Sequence, residues 1–104
     1  MLDDKGILKT LKEYEKKIKG YGINKIGLFG SYAAGNGAAD SDIDILVEFE
    51  TGKKNFDNYM ELKFLLEDLF NKEVDLVISD NIKSELKADI LGSVEYVEEL
   101  SGLH

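Results

Sequence analysis

A chain of 104 residues has room for one modest core and not for two. Hydrophobic residues make up 43% and charged residues 33%, the balance of a folded globular domain rather than a disordered segment. Lys+Arg 13 against Asp+Glu 21 leave a net charge of −8, which argues against a protein that holds nucleic acid by its phosphates.

The first residues, MLDDKGILKT, carry acids where a secretory leader would be basic, and no apolar run approaches the ~20 residues of a membrane span. The expectation is a cytoplasmic protein with no membrane contact. From Asp4 to Lys19 the residues Ile7, Leu8, Leu11, Tyr14 and Ile18 recur at helical spacing, and Gly20 and Gly22 supply the stop. Ile23 to Phe29 is short, apolar and partly β-branched, as a buried strand is. Gly30-Ser31 then turns into a short Ala- and Gly-rich segment. From Asp42 to Phe49 the pattern alternates, with Ile43, Ile45, Val47 and Phe49 on one face and Asp42, Asp44, Leu46 and Glu48 on the other.

Thr51 to Asn55 reads as a polar loop, and Phe56 to Phe70 as a helix whose stripe is Phe56, Tyr59, Leu62, Leu66, Leu69 and Phe70. Val74 to Ile78 is a third strand, and Ser79-Asp80-Asn81 a turn able to cap a helix from Ile82 to Leu91. The tail from Val94 to Leu100 fits strand and helix equally. The pattern predicts one domain over 1–104 of α/β (α+β) class, a small three-stranded sheet with helices packed on one side.

Asp42 and Asp44 stand at i and i+2 of a strand, so their carboxylates share a face a few ångströms apart. Two like charges at that distance repel and raise one pKa unless a cation lies between them. An arbitrary D-x-D is more often the solvated face of an edge strand. Here the opposite face is wholly apolar, a Gly-Ser turn precedes the pair, and a further acid, Asp75, interrupts the apolar strand Val74–Ile78. An acid inside a strand is costly without a partner. If the two strands are neighbours, Asp75 joins the pair; as an exposed edge-strand residue it needs none.

The chain has no cysteine and one histidine, His104, so a metal must be held by carboxylates, which suits Mg²⁺ or Mn²⁺. Every basic residue is lysine, so no guanidinium fork is present for phosphate. Other motifs fail on inspection. Asp40-x-Asp42-x-Asp44 begins like a calcium loop, but Ile45 stands where the turn needs glycine and Thr51 where the closing glutamate belongs. Gly30-x4-Gly35 begins like a P-loop, but Asn36-Gly37 follows in place of Lys-Ser/Thr.

What remains is Gly30-Ser31, ten intervening residues, then Asp42-x-Asp44. The stretch GLFGSYAAGNGAADSDIDILVEF, Gly27 to Phe49, resembles the signature of minimal nucleotidyltransferases (MNT) of the polymerase-β-like superfamily, the antitoxins encoded beside HEPN ribonuclease toxins. EVDLVISDNIKSELKADIL, Glu73 to Leu91, resembles the rest of that pattern, including its third acid. The resemblance implies a nucleotidyltransferase-like fold and a two-metal site. Asp42 and Asp44 would bridge two Mg²⁺ ions, with Asp75 on the one nearest the acceptor hydroxyl, while Gly30 and Ser31 would meet the phosphates of ATP. The chain departs from the family where Ala34 replaces a common arginine.

Three functions compete. The resemblance favours an adenylyltransferase that moves AMP from ATP to a tyrosine of a HEPN toxin, silencing it. The second is an antitoxin that acts by contact alone on a decayed transferase fold. The third, a small-molecule nucleotidyltransferase, needs an acceptor domain for which the chain has no residues. The assembly is expected to be a homodimer or a hetero-oligomer with the toxin. Tyr32 is read as packing, and Tyr59 with Phe64 as core and subunit contact.

Overall fold

The computed structural model of the chain describes residues 3–35, 37 and 41–97. Much of the Ala- and Gly-rich segment after Gly35, and residues 98–100 of the expected tail element, lie outside the described residues.

Helix α1 (Asp4–Glu13) begins where Asp3 accepts a hydrogen bond from the Gly6 N–H at 2.8 Å, filling one of the donors a helix start leaves open. The single helix expected to Lys19 is broken at Tyr14, which leaves helical geometry before α2 (Glu15–Lys19) resumes. Strand β1 (Ile23–Phe29) leads into the one-turn helix α3 (Gly30–Ala33). Strand β2 (Ile43–Phe49) follows, then α4 (Phe56–Phe70) and β3 (Val74–Ile78). Asn55 caps α4 by accepting from the Asn58 N–H at 2.8 Å, and Asn71 closes it in left-handed geometry at φ 51°.

Ser79–Asn81 form a 3₁₀ turn rather than the cap of a helix beginning at Ile82; α5 starts later and spans Ser84–Ser93. The ambiguous tail supplies a short fourth strand, β4 (Glu95–Tyr96). The sheet order is β3-β2-β1-β4, with β2 and β3 parallel and the other two pairs antiparallel. A parallel pair needs a crossover of a dozen or more residues, and α4 with its loops provides it.

The main core lies between one face of this sheet and helices α1, α2 and α4. Ile26, Leu28, Ile43, Ile45, Val47, Val74 and Leu76 pack there against Ile7, Leu11, Ile18, Leu62, Leu66 and Phe70. Phe56, expected in the α4 stripe, is instead 75% exposed, because it stands at the first residue of the helix. Phe64 is 59% exposed and is not core either.

The edge strand β3 is tied down by α4. The Tyr59 hydroxyl donates to the Leu76 carbonyl at 2.7 Å, Lys63 Nζ donates to the Val74 carbonyl at 2.6 Å, and the Val74 N–H donates to Glu67 at 3.1 Å. These side chains satisfy backbone groups that an edge strand otherwise leaves open to another chain. Among the described residues no helix is long and apolar enough to cross a membrane.

The opposite face is also partly covered. Leu46, grouped by alternation with Asp44 and Glu48, is 1% exposed. Its cross-strand partner is Gly27, and a Cβ there would stand 2.5 Å from Val94 Cγ1 and 3.0 Å from the Glu95 carbonyl oxygen. The C-terminal segment therefore closes over the middle of the sheet at a point where β1 carries no side chain.

Candidate active site

The register of the sheet determines which acids meet. Asp44 pairs with Asp75 across the parallel β2–β3 ladder and with Phe29 across the antiparallel β1–β2 ladder. Asp42 lies just ahead of β2, two residues before Asp44. The sequence-predicted carboxylates are thus brought to one end of the sheet, on the face that α4 does not cover. The neighbouring-strand placement of Asp75, left open by the sequence pattern, is the one observed.

Asp44 is half-buried, while Asp42 and Asp75 are exposed. Its carboxyl is held above the usual carboxylate range, first by burial, then by the negative charges of Asp75 and Asp42, and then by a hydrogen bond with Asp75. A site that resists a second and third negative charge is one that a cation would relieve. Among the described residues, Asp42, Asp44 and Asp75 included, no three acids stand close enough together to hold a metal ion as placed. Asp44 and Asp75 are in hydrogen-bond contact and Asp42 acts on them by charge.

Gly30 closes the site from the β1 side. It has a φ of 75°, and a Cβ there would overlap the Asp44 carboxylate. The Gly-Ser turn and the central acid are therefore one packed unit. The sequence assigns Gly30 a role toward phosphate but not its contact with Asp44, which follows from the pairing of Phe29 with Asp44 across the sheet. Ser31 follows in the first turn of α3, half-exposed. The α3 turn is closed by the Ala34 N–H donating to the Gly30 carbonyl at 3.1 Å, with Ala34 itself exposed. Tyr32 is 4% exposed and belongs to the core, as expected.

Other polar groups are accounted for elsewhere. Lys25 Nζ lies 5.8 Å from the centre of the Tyr96 ring. The Tyr96 phenol is pushed up by burial and by the charge of Glu48. A groove of about 500 Å³ along β3 is lined by Phe56, Tyr59, Leu76, Val77 and Ile78, among others, and includes none of the three acids. The Tyr59 hydroxyl that borders it is already engaged with the β3 backbone.

Comparison with known proteins agrees with this geometry. A family model described as nucleotidyltransferase domain matches residues 5–97. The protein adenylyltransferase MntA of Thermococcus cleftensis is 38% identical over 98 residues, covering 93% of this chain and 98% of that protein. A solved structure assigned as a minimal nucleotidyltransferase superposes with a TM-score of 0.71 at 30% identity, covering 90% of this chain and 95% of the other. A toxin–antitoxin structure with AMP-PNP superposes with a TM-score of 0.63 at 25% identity, covering 85% and 81%.

Proposed function

Because the chain belongs to the nucleotidyltransferase domain family, we propose that it is a protein adenylyltransferase of the antitoxin kind, moving AMP from ATP to a tyrosine of a HEPN ribonuclease toxin. The observation that carries the proposal is the Asp44–Asp75 cross-strand contact, with Asp42 two residues away and Gly30 packed against Asp44. Carboxylates forced together in this way destabilise one another unless they hold a cation.

Asp42, Asp44 and Asp75 would hold Mg²⁺ ions, two in number, or Mn²⁺ in their place. Bound there, the ions would neutralise the triphosphate and clamp the attacking and leaving oxygens. Ser31 would donate its hydroxyl to the terminal phosphate, and Gly30, lacking a side chain, leaves the backbone open to that approach. The tyrosine oxygen attacks the α-phosphorus, the bond to pyrophosphate breaks, pyrophosphate leaves, and the phenolic proton passes to solvent. The products are an AMP-tyrosine phosphodiester and pyrophosphate.

A protein acceptor is supported by α5. This helix has no buried residue, exposes Leu86 at 50% and Leu91 at 37%, and neighbours α3 beside the acids. Apolar side chains left open next to a site suit a partner surface better than a small polar acceptor. The relative in Thermococcus cleftensis is named a protein adenylyltransferase, which supports the same class of acceptor. We place this activity in the cytoplasm, where ATP and a ribonuclease substrate are both present.

The test is incubation with ATP, Mg²⁺ and any HEPN-type protein found encoded beside it, read by intact mass. Addition of AMP to that protein, lost in Asp42→Ala while the complex persists, supports the proposal. Neutralisation of the toxin with no mass change, equal in wild type and Asp42→Ala, would leave an antitoxin that acts by contact alone.

A further inference from the structure

The three acids are not held in the same way. Asp44 and Asp75 lie within strands and are fixed by the β2–β3 ladder, whereas Asp42 stands one residue before its first rung, the pairing of Ile43 with Val74. The place of Asp42 therefore depends on how the chain enters β2 from α3. That path is tied near its start. The Gly35 N–H donates to the Tyr32 carbonyl at 3.1 Å, and Gly35 reverses the chain with a φ of 81°. Two residues on, Gly37 lies against the Tyr32 ring. A Cβ at Gly37 would stand 2.5 Å from the ring's Cε1 and 2.7 Å from Cγ, and would overlap Cδ1. Carbon atoms in contact sit about 3.5–4.0 Å apart, so no side chain fits there.

The two glycines are needed for different reasons. Gly35 supplies a left-handed backbone, while Gly37 has no such angle and is limited by the ring alone. The ring has little room to yield, because Tyr32 is 4% exposed and packs in the core. Tyr32 also follows Ser31 directly in α3, two residues after Gly30.

We propose that Tyr32 is a positioning residue for Asp42: its buried ring seats Gly37 and so sets where the chain approaches Asp42 relative to the Gly30-Ser31 turn. Gly37 precedes Asp42 by five residues and β2 begins directly after it, so the approach to Asp42 is anchored at both ends. One core side chain thereby joins the turn expected to meet phosphate with the acid that the strands do not hold. Tyr32 acts through Gly37 and does not itself touch metal or nucleotide. The proposal rests on the reading of Asp42 as a metal ligand. Changing a residue that orients a metal ligand typically costs about 10–100-fold in metal affinity.

Calorimetric titration of Mn²⁺ with ATP present, together with NMR of the metal-free protein, tests it. Gly37→Ala is expected to weaken Mn²⁺ binding about tenfold or more. Tyr32→Leu, which keeps an apolar core and removes the ring, is expected to weaken it similarly. The double variant Tyr32→Leu/Gly37→Ala should be no worse than Tyr32→Leu, since the added methyl no longer meets a ring. Leu66→Val truncates a buried residue of α4 and is expected to keep wild-type Mn²⁺ affinity, which separates positioning from a general loss of packing. In the metal-free protein Gly37→Ala should move the amide resonance of Asp42 and leave that of Asp75 in place. Urea melts check that each variant is folded; should Tyr32→Leu not fold, Gly37→Ala and Leu66→Val carry the test by themselves. Wild type that binds no Mn²⁺ would contradict the transferase reading, and the Asp42 resonance would then decide this proposal alone. Wild-type affinity in Gly37→Ala, additive losses in the double variant, a matching loss in Leu66→Val, or an Asp42 resonance unmoved by Gly37→Ala would each overturn it.

Discussion

Gly30 and Asp44 touch so closely that no methyl group fits between the glycine α-carbon and the carboxylate. The contact joins the turn expected to receive phosphate with the central acid expected to receive metal, and it turns a glycine into a structural part of the site.

Gly30→Ala is therefore expected to act twice. It places a side chain at a φ of 75° and pushes the Asp44 carboxylate away from Asp75. Left-handed strain of this kind costs about 1–3 kcal/mol, which urea denaturation would measure directly. Transfer activity should fall further than the loss of folded protein explains, because the displaced carboxylate is one of the three.

Asp44→Asn is expected to stabilise the metal-free fold near neutral pH. The Asp44 carboxyl is held above its usual range in the folded chain, so folded protein keeps a proton there that unfolded protein has already released. Wild-type stability from this group therefore falls as pH rises from the ordinary carboxylate range through the raised folded value. The asparagine variant avoids that loss. Urea melts should converge for the two proteins below about pH 4, where both forms of Asp44 are protonated, and separate above it. In saturating Mg²⁺ and ATP the order reverses, since wild type gains binding stabilisation of about 2.7 kcal/mol at ligand one hundred times its dissociation constant. The variant should lose the metal-dependent part of that gain.

Leu46→Ala is expected to cost about 2–5 kcal/mol, the usual range for truncating a buried leucine. Glu48→Ala, two residues along the same face and half-exposed, should stay within about 0.5 kcal/mol of wild type. A pair of thermal melts distinguishes a covered sheet face from a solvated one.

Leu46 also shows where sequence reasoning stops. The strands Ile23–Phe29 and Val74–Ile78 and the helix Phe56–Phe70 were legible to the residue, because local periodicity and flanking glycine, asparagine and charge define them. Val94 and Tyr96 return to β1 late in the chain and pack at Gly27, the cross-strand partner of Leu46, and a two-residue strand has no period to read. The break at Tyr14 and the exposure of Phe56 were likewise invisible, since both continue a helical stripe that tertiary packing ends early. The acids were legible as a pair and a candidate third, through alternation and the resemblance of the Gly30–Asp44 stretch. Their meeting required the parallel register of β2 with β3, which is a property of the assembled sheet.

The central claim is that these three acids serve one adenylyl transfer, and isotope position in ATP tests it most directly. With Mg²⁺ and a HEPN-type protein as acceptor, label at the α-phosphate should become bound to that protein and label at the γ-phosphate should not. Asp42→Ala, Asp44→Asn and Asp75→Asn should each abolish the α-label. Transfer of the γ-label instead, or undiminished α-label in the three variants, would contradict the account.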